Sequence, residues 1–453
     1  MVFHNIITYH GAIIYIHLRG AIIYIHLRED QLPGPLDGIK IIEFTQIIAA
    51  PFGGMLLADM GAEIIKIEPL AGEPWRLHSE FLPKESKTFI GLNRGKKSLP
   101  LDLRHQEGLE IAHKLISDAD AVIINARPDV PKSLGIDYDT LSKINPQLIY
   151  CDNTAFGRKG PHGYRPGYDL IIQAMSGLLA ADNKVVDGVP QQITATAVAD
   201  YTTGVAIAWG ISAALFARER TGKGQKIDTT LLSTSLLIQG GFTEIEDHGK
   251  EENDELVETL GALRQAGMPY ESLLEQQQIH SPFNTAFRIY YTTYQTSNDV
   301  IAIACLSNSL RKKAADAIGV KDPRFSDDYD PENPGSNAAI EELSENIKTI
   351  LLTKTCEEWL SIFDSCGVPA GPVRFIQELT NDEQVIANDM VVEVQHTLAG
   401  KIKMAGPMIQ MSETPLNARS ASPALGEHTD QILLDLGYSE DQIADLRSDG
   451  VTL

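Results

Sequence analysis

Cysteine is scarce in this chain of 453 residues. The four present, Cys151, Cys305, Cys356 and Cys366, form no CxxC pair and have no histidine at metal-ligand spacing. That excludes a disulfide scaffold and fits a reduced, cytoplasmic enzyme. Positive charge is short as well: 38 Lys and Arg stand against 61 Asp and Glu, a formal net charge of −23. Such a chain does not bind nucleic-acid phosphates, and any anionic ligand must be held by a few local cations. The 43 % hydrophobic and 22 % charged residues are those of a soluble globular protein, not of a disordered or membrane-inserted one. The length suggests two or three domains.

Several catalytic signatures are missing too. No GxGxxG follows a strand, and Gly222-Lys223-Gly224 lies after a helix and before a strand, which is the wrong order for a dinucleotide loop. Gly91-Leu92-Asn93-Arg94-Gly95-Lys96-Lys97-Ser98 imitates a phosphate loop, but its glycine spacing is wrong and a strand follows it, so only its cations remain as phosphate candidates. The 12 histidines form no HExxH or His/Cys cluster, so no metal site is expected, and there is no GxSxG elbow.

What is present begins with an exact tandem copy: residues 11–19 and 20–28 are the same nonapeptide, GAIIYIHLR. Two short copies make neither a solenoid nor a membrane span, and no cleavage site marks a signal peptide. Residues 1–36 read as a β-prone extension outside the fold. From Asp37 onward, strands at 39–44, 63–68, 121–124 and 148–151 alternate with helices starting at Pro51 and spanning 106–117 and 138–144. That alternation implies right-handed crossovers and a parallel sheet. A further strand at 224–230 and a helix at 231–239 continue the pattern. Composition then turns acidic over 244–258, and a second unit follows. The shift marks a boundary and a connecting segment after about residue 240, and the chain ends in two short helices at 429–436 and 439–448.

The chain is organised around Asp200, which ends a run of small residues and directly precedes a nearly uninterrupted apolar helix at 205–217. Two readings stand open for this carboxylate. Capping the helix is the commoner role; a poorly hydrated, ionised nucleophile is the other.

The series Leu36-Asp37-Gly38, Ala50-Pro51, Gly61-Ala62-Glu63, Asn93-Arg94-Gly95-Lys96-Lys97-Ser98, Ala155-Phe156-Gly157, Pro166-Gly167-Tyr168-Asp169, Ala199-Asp200, Gly367-Val368-Pro369-Ala370-Gly371-Pro372 and Gly426-Glu427-His428-Thr429 resembles, in this order, the class III coenzyme A transferases of CaiB/BaiF type. The resemblance runs from about residue 35 to the C-terminus. It implies a Rossmann-like large domain built from both chain ends, residues 37–240 and the returning 376–453, with a linker and small α+β domain inserted at 241–375, and an interlocked homodimer. It also implies that Asp200 attacks an acyl-CoA thioester, with coenzyme A as co-substrate and no tightly bound cofactor. The expected CoA-binding residues are Arg94, Lys96, Lys97, Leu101, Leu103, Arg104 and Lys132, and the expected pocket residues are Ile48, Ala49 and Tyr168. The helix start at Pro51 is a further anion-site candidate.

Two departures count against formyl or oxalyl transfer: Ile48 replaces a glutamine, and residues 280–284 stand where those relatives carry a glycine-rich loop. A racemase of the same fold places a histidine where this chain has Tyr168, and a tyrosine, ordinarily titrating near pH 10, is a poor base at neutrality. A CoA-binding protein without turnover is the remaining alternative. It would have no need of Asp200. Asp169 is expected to be a buried hydrogen-bonding strut, and Glu427 and His428 to be structural.

Overall fold

The computed structural model of the protein describes residues 7–10, 13–18, 21–26 and 32–453, apart from 183, 195, 280–284, 328 and 331–332. The chain divides into two compact units, Met1–Gly249 with Glu383–Leu453, and Lys250–Asp382. The expected boundaries, at 241 and 376, lie nine and seven residues earlier. The acidic stretch expected to link the units lies mostly within a helix, described below.

In the first unit, β1 (Ile7–His10), β2 (Ile13–Leu18) and β3 (Ala21–His26) form an antiparallel sheet in that order. The two repeat copies pair with each other, Ile13 opposite His26 and Leu18 opposite Ala21. Their β-branched and aromatic content suits a pleated strand.

The main sheet is parallel throughout. In chain order come β4 (Lys40–Phe44), α1 (Ala49–Asp59), β5 (Glu63–Glu68), the short pair β6 (Glu80–Leu82) and β7 (Glu85–Ser86), and α2 (Lys87–Asn93). Then follow β8 (Lys96–Pro100), α3 (Gln106–Ser117), β9 (Ala121–Ile124), α4 (Val130–Ser133), α5 (Tyr138–Ile144) and β10 (Ile149–Thr154). The part closes with α6 (Asp169–Met175), α7 (Leu178–Asp182), the pair β11 (Val185–Val186) and β12 (Val189–Pro190), α8 (Val198–Thr221), β13 (Gln225–Thr230) and α9 (Leu231–Leu237). The six sheet strands lie in the order β13-β10-β9-β4-β5-β8.

Period-two alternation within each strand sends neighbouring residues into two different cores. Ile42, Ile65, Val122, Ile124 and Tyr150 pack with α3 and α5. Ile41, Ile64, Ile123 and Cys151 pack with α1 and α8 on the other face. The result is a doubly wound, three-layered α/β unit.

The second unit contains α10 (Lys250–Gln265), α11 (Tyr270–Ile279), α12 (Thr285–Arg288), β14 (Tyr291–Gln295), β15 (Val300–Ala304), α13 (Asn308–Ile318), α14 (Pro334–Leu351), α15 (Cys356–Cys366) and β16 (Ala370–Pro372). Its strands pair antiparallel in the order β14-β15-β16, over a core that includes Tyr290, Ile347, Trp359 and Phe363. The chain returns to the first unit through α16 (Glu383–Ala387), the hairpin β17 (Val391–His396) and β18 (Gly400–Ala405), α17 (Thr429–Asp435) and α18 (Glu440–Ser448). Ile432, Leu433, Ile443 and Leu446 of α17 and α18 complete the core beneath α3. The last residues tie to the end of β8: Asp102 N–H donates to Val451 O at 2.9 Å, and the Thr452 hydroxyl to Pro100 O at 2.7 Å.

Candidate active site

Strand order reverses between β4 and β9: the chain leaves β4 toward β5 and β8, then crosses to β9, β10 and β13. In such sheets the crevice outside the carboxyl ends of the two strands is the natural ligand site. Here the loops leaving β4 and β9 are clasped together. Gln46 N–H donates to Asn125 Oδ1 at 2.9 Å, and Asn125 Nδ2 donates to Gln46 O at 2.8 Å.

Two cavities open beside this clasp. A small one, about 170 Å³, is lined by Ile48, Ala49, Asn153, Thr154, Phe156, Arg165, Tyr168 and Asp200. A larger one, about 510 Å³ and mostly apolar, is lined by Phe44, Leu101, Leu103, Arg104, Val130 and Leu134. Gln46, Asn125, Ala126 and Arg127 line both. The two therefore adjoin at the clasp, with a small chamber on one side and an apolar trough on the other.

Asp200 sits in the first turn of α8 but does not cap it. The N-cap position is Ala197, which supplies no side-chain acceptor. The cap comes from α6: Asp169 Oδ1 accepts the N–H of Ala199 at 2.8 Å and that of Asp200 at 3.4 Å. Gln173 donates its amide to the other Asp169 oxygen and accepts Ile193 N–H at 3.2 Å. The capping expected of Asp200 is thus performed by Asp169, which leaves the Asp200 carboxylate without a hydrogen-bond partner among the described residues. It is only 8 % exposed. Burial first, and the neighbouring Asp169 charge second, push its carboxyl up to about 7.

Helices α1 and α8 cross at close range, which brings Ala49 beside the start of α8. A Cβ on Gly204 would lie 2.7 Å from both Ala49 O and Phe52 Cδ1, and one on Gly53 would lie 2.8 Å from Ile207 Cγ2. Only glycine allows that approach.

The turn from β4 into α1 is unusual. Ile47 has φ +71°, the only β-branched residue among the described non-glycine residues with positive φ. Such a conformation costs of order 1–3 kcal/mol. The Glu73 carboxylate holds it by accepting Ile47 N–H at 3.0 Å. Beneath the turn, buried Glu43 pairs with Lys96 at 2.8 Å and Lys66 at 3.3 Å. Lys66 Nζ also donates to Thr45 O at 2.9 Å, and Lys96 Nζ to Pro51 O at 2.8 Å. Burial pulls the Lys96 ammonium down to about 8, with Glu43 opposing.

The structure corrects two of the expected CoA-binding residues. Arg94 is buried with its guanidinium on Asp59, 2.9 Å and 2.6 Å from the two carboxylate oxygens. Lys96 is buried in the Glu43 pair. Both charges are spent on internal ion pairs, because the loop that resembled a phosphate cradle leads into a buried strand. Lys97 pairs with Glu63 at the amino end of β8, away from the strand ends where the cleft opens. Lys132 is exposed on α4, whose neighbours Val130 and Leu134 line the trough. Leu101, Leu103 and Arg104 line the trough, and Ile48, Ala49 and Tyr168 line the chamber. Glu427 accepts Ala424 N–H at 2.7 Å, and the His428 ring faces Ser98 N–H at 3.4 Å; both serve loop geometry. Residues 280–284 lie outside the described residues.

Sequence reasoning missed Gln46, Asn125, Arg127 and Glu73. The first three follow the two central strands, and strand order, which would have singled them out, is not written in the sequence. No group of three or more His, Cys, Asp or Glu side chains suited to a metal occurs among the described residues, and no helix there is long and apolar enough to cross a membrane.

Comparison with known proteins places this geometry. A model of CoA-transferase family III matches residues 36–429. An acetyl-CoA:oxalate CoA-transferase of Acetobacter aceti is 32 % identical over 87 % of this chain and 94 % of its own. A succinyl-CoA:glutarate CoA-transferase of Mus musculus is 31 % identical over 92 % and 90 %. The crystal structure of a CaiB/BaiF family protein from Brucella suis superposes with a TM-score of 0.70 at 29 % identity, covering 89 % of this chain and all of that one.

Proposed function

The chain belongs to CoA-transferase family III and is an enzyme of that class, and we propose that it moves coenzyme A from an acyl-CoA to a small carboxylic acid by covalent chemistry on Asp200. The observation that carries this is the Asp200 carboxylate itself: buried, unpartnered among the described residues, and lining a chamber that adjoins an apolar trough.

In this reading an Asp200 oxygen attacks the thioester carbonyl carbon, the C–S bond breaks, and CoA thiolate leaves a mixed anhydride on the enzyme. The thiolate then attacks the aspartyl carbonyl, releasing the donor acid and forming an aspartyl-CoA thioester. The acceptor carboxylate attacks that thioester and frees the thiolate again. Attack of the thiolate on the acceptor's carbonyl gives the new acyl-CoA and restores Asp200. No electrons are exchanged, and no tightly bound cofactor takes part.

Each tetrahedral oxyanion needs donors. The first N–H groups of α1, those of Ala49 and Ala50, have no acceptor among the described residues, and Pro51 contributes none. We assign them to the oxyanion. Leu101, Leu103 and Arg104 would hold the nucleotide end of CoA, with Lys132 as an outlying cation. Arg127, exposed and loosely paired with Asp129 at 3.6 Å, lines both cavities and would meet the phosphates there. Arg165 would face the acceptor's charge. Relatives that act on oxalate and glutarate support small acids as acceptors.

An interlocked homodimer in the cytoplasm completes the proposal. It is supported by Trp209 and Phe216, 71 % and 64 % exposed on one face of α8, and by four cysteines that are all free thiols. Sedimentation at micromolar concentration should give a dimer, and a monomer would refute that part.

Asp200→Asn separates the alternatives. A transferase loses activity by at least ~10³-fold and keeps CoA affinity. Full turnover by the variant, or α-proton exchange in deuterated water without CoA transfer, would sink the reading.

A further inference from the structure

We propose that Glu73 is a positioning residue for the reaction: its carboxylate locks Ile47 in a left-handed conformation and thereby aims the first N–H groups of α1 into the Asp200 chamber. The inference rests on the oxyanion role given above to Ala49 and Ala50.

Among the described residues five non-glycine positions have positive φ: Ile47, Ser79, Lys84, Asp187 and Asp389. Four are polar residues, whereas Ile47 carries a branched Cβ for which this region is a true outlier. A strained conformation persists only where its surroundings enforce it. Here the enforcing contact is Ile47 N–H donating to Glu73 Oε2 at 3.0 Å. The residues on either side, Gln46 and Ile48, line the chamber together with Ile47 itself. Ile48 is the N-cap of α1 and lacks a side-chain cap bond. Rotation at Ile47 therefore swings the start of α1, and with it the free N–H groups, relative to the clasped Gln46.

Glu73 is well anchored for this task. It is buried, its Oε2 also accepts Trp75 N–H at 3.3 Å, and its Oε1 lies 3.6 Å from Lys66 Nζ. Lys66 in turn donates to Thr45 O, at the root of the same loop. A rival explanation is that Glu73 serves only as a counter-charge for Lys66. Reach and charge are separable by substitution.

Glu73→Gln keeps an acceptor within reach of Ile47 and removes the charge. Glu73→Asp keeps the charge and withdraws the acceptor. If Glu73 positions the turn, Glu73→Asp lowers kcat about 10²-fold with the acyl-CoA KM within about threefold, the signature of lost transition-state contact. Glu73→Gln retains most of kcat. Adding Ile47→Gly to Glu73→Asp, so that positive φ carries no steric penalty, recovers at least about tenfold. Equal damage from Gln and Asp, an undamaged Asp variant, or no recovery with glycine each overturns the proposal. Hydrogen exchange at the Ile47 amide gives a readout free of catalysis: slow in the wild type and Glu73→Gln, fast in Glu73→Asp. Slow exchange in all three refutes the latch even if transfer is confirmed. A wild type that protects Ile47 but transfers no CoA refutes the proposed function instead.

Discussion

Asp169 caps the helix that carries Asp200: its Oδ1 accepts the N–H of Ala199 at 2.8 Å and of Asp200 at 3.4 Å. The two carboxylates thus divide the work available at a helix start. One takes the backbone donors and the other is left free for chemistry, raised in pKa by burial and by its neighbour.

This division predicts the pH behaviour. With Asp200 titrating at about 7, kcat/KM for acyl-CoA should fall about tenfold per unit below that value and level off above it. Asp169→Asn keeps an acceptor for the cap but removes a negative charge, so the inflection should move to lower pH while burial keeps it above the ordinary 3.8. The stability effect has the opposite sense to that of a paired carboxylate. A raised folded value means that Asp200's contribution is intact below about 3.8 and lost as pH rises through about 7. Asp200→Asn should therefore raise Tm at pH 8 by roughly 1–2 °C, the shift that about 1 kcal/mol produces in a chain of this size, and leave it little changed at pH 4. An unshifted profile in Asp169→Asn would show that the two groups do not interact.

The close crossing of α1 and α8 makes Gly204 sensitive. Gly204→Ala places a Cβ 2.7 Å from Ala49 O, and because backbone must move, a loss of about 1–3 kcal/mol in urea unfolding is expected. Activity should fall beyond what stability explains, since the same contact sets the spacing of Ala49 and Asp200. A neutral result would mean the helices part easily.

The cations should sort by burial. Lys96→Met strands Glu43 beside Lys66 alone and should cost about 3–5 kcal/mol of stability. Arg104→Ala and Arg127→Ala should leave unfolding unchanged and weaken CoA binding, each by about 5–20-fold at low salt and less at high salt. Arg165→Met should raise the acceptor KM and spare that of the donor. Calorimetric titration with CoA and steady-state kinetics distinguish the classes. Weakened CoA binding in a stable Lys96→Met would reverse the assignment.

The parallel sheet was legible because its signals are local. Helices at 106–117 and 138–144 and strands at 63–68 and 121–124 match the structure residue for residue, since their apolar periodicity is unmixed. Helix α15 escaped the sequence reading even though Thr355 and Glu358 form a capping box at its start. The charges of Arg94 and Lys96 misled because a buried ion pair and a surface phosphate site look alike in sequence; only the partners, Asp59 and Glu43, tell them apart. Asp200 stood out in the sequence, but its freedom from capping depends on Asp169, thirty-one residues away. The clasp of Gln46 with Asn125 and the latch of Ile47 with Glu73 are long-range pairings that no local pattern announces.

Covalent capture tests the central claim most directly. The enzyme is incubated with a panel of acyl-CoA thioesters, quenched with hydroxylamine or borohydride, and mapped by peptide mass spectrometry. The account predicts modification at Asp200 and nowhere else, dependent on a productive donor and absent in Asp200→Asn. Efficient CoA transfer with Asp200 unmodified, or with the adduct on another side chain, would contradict it.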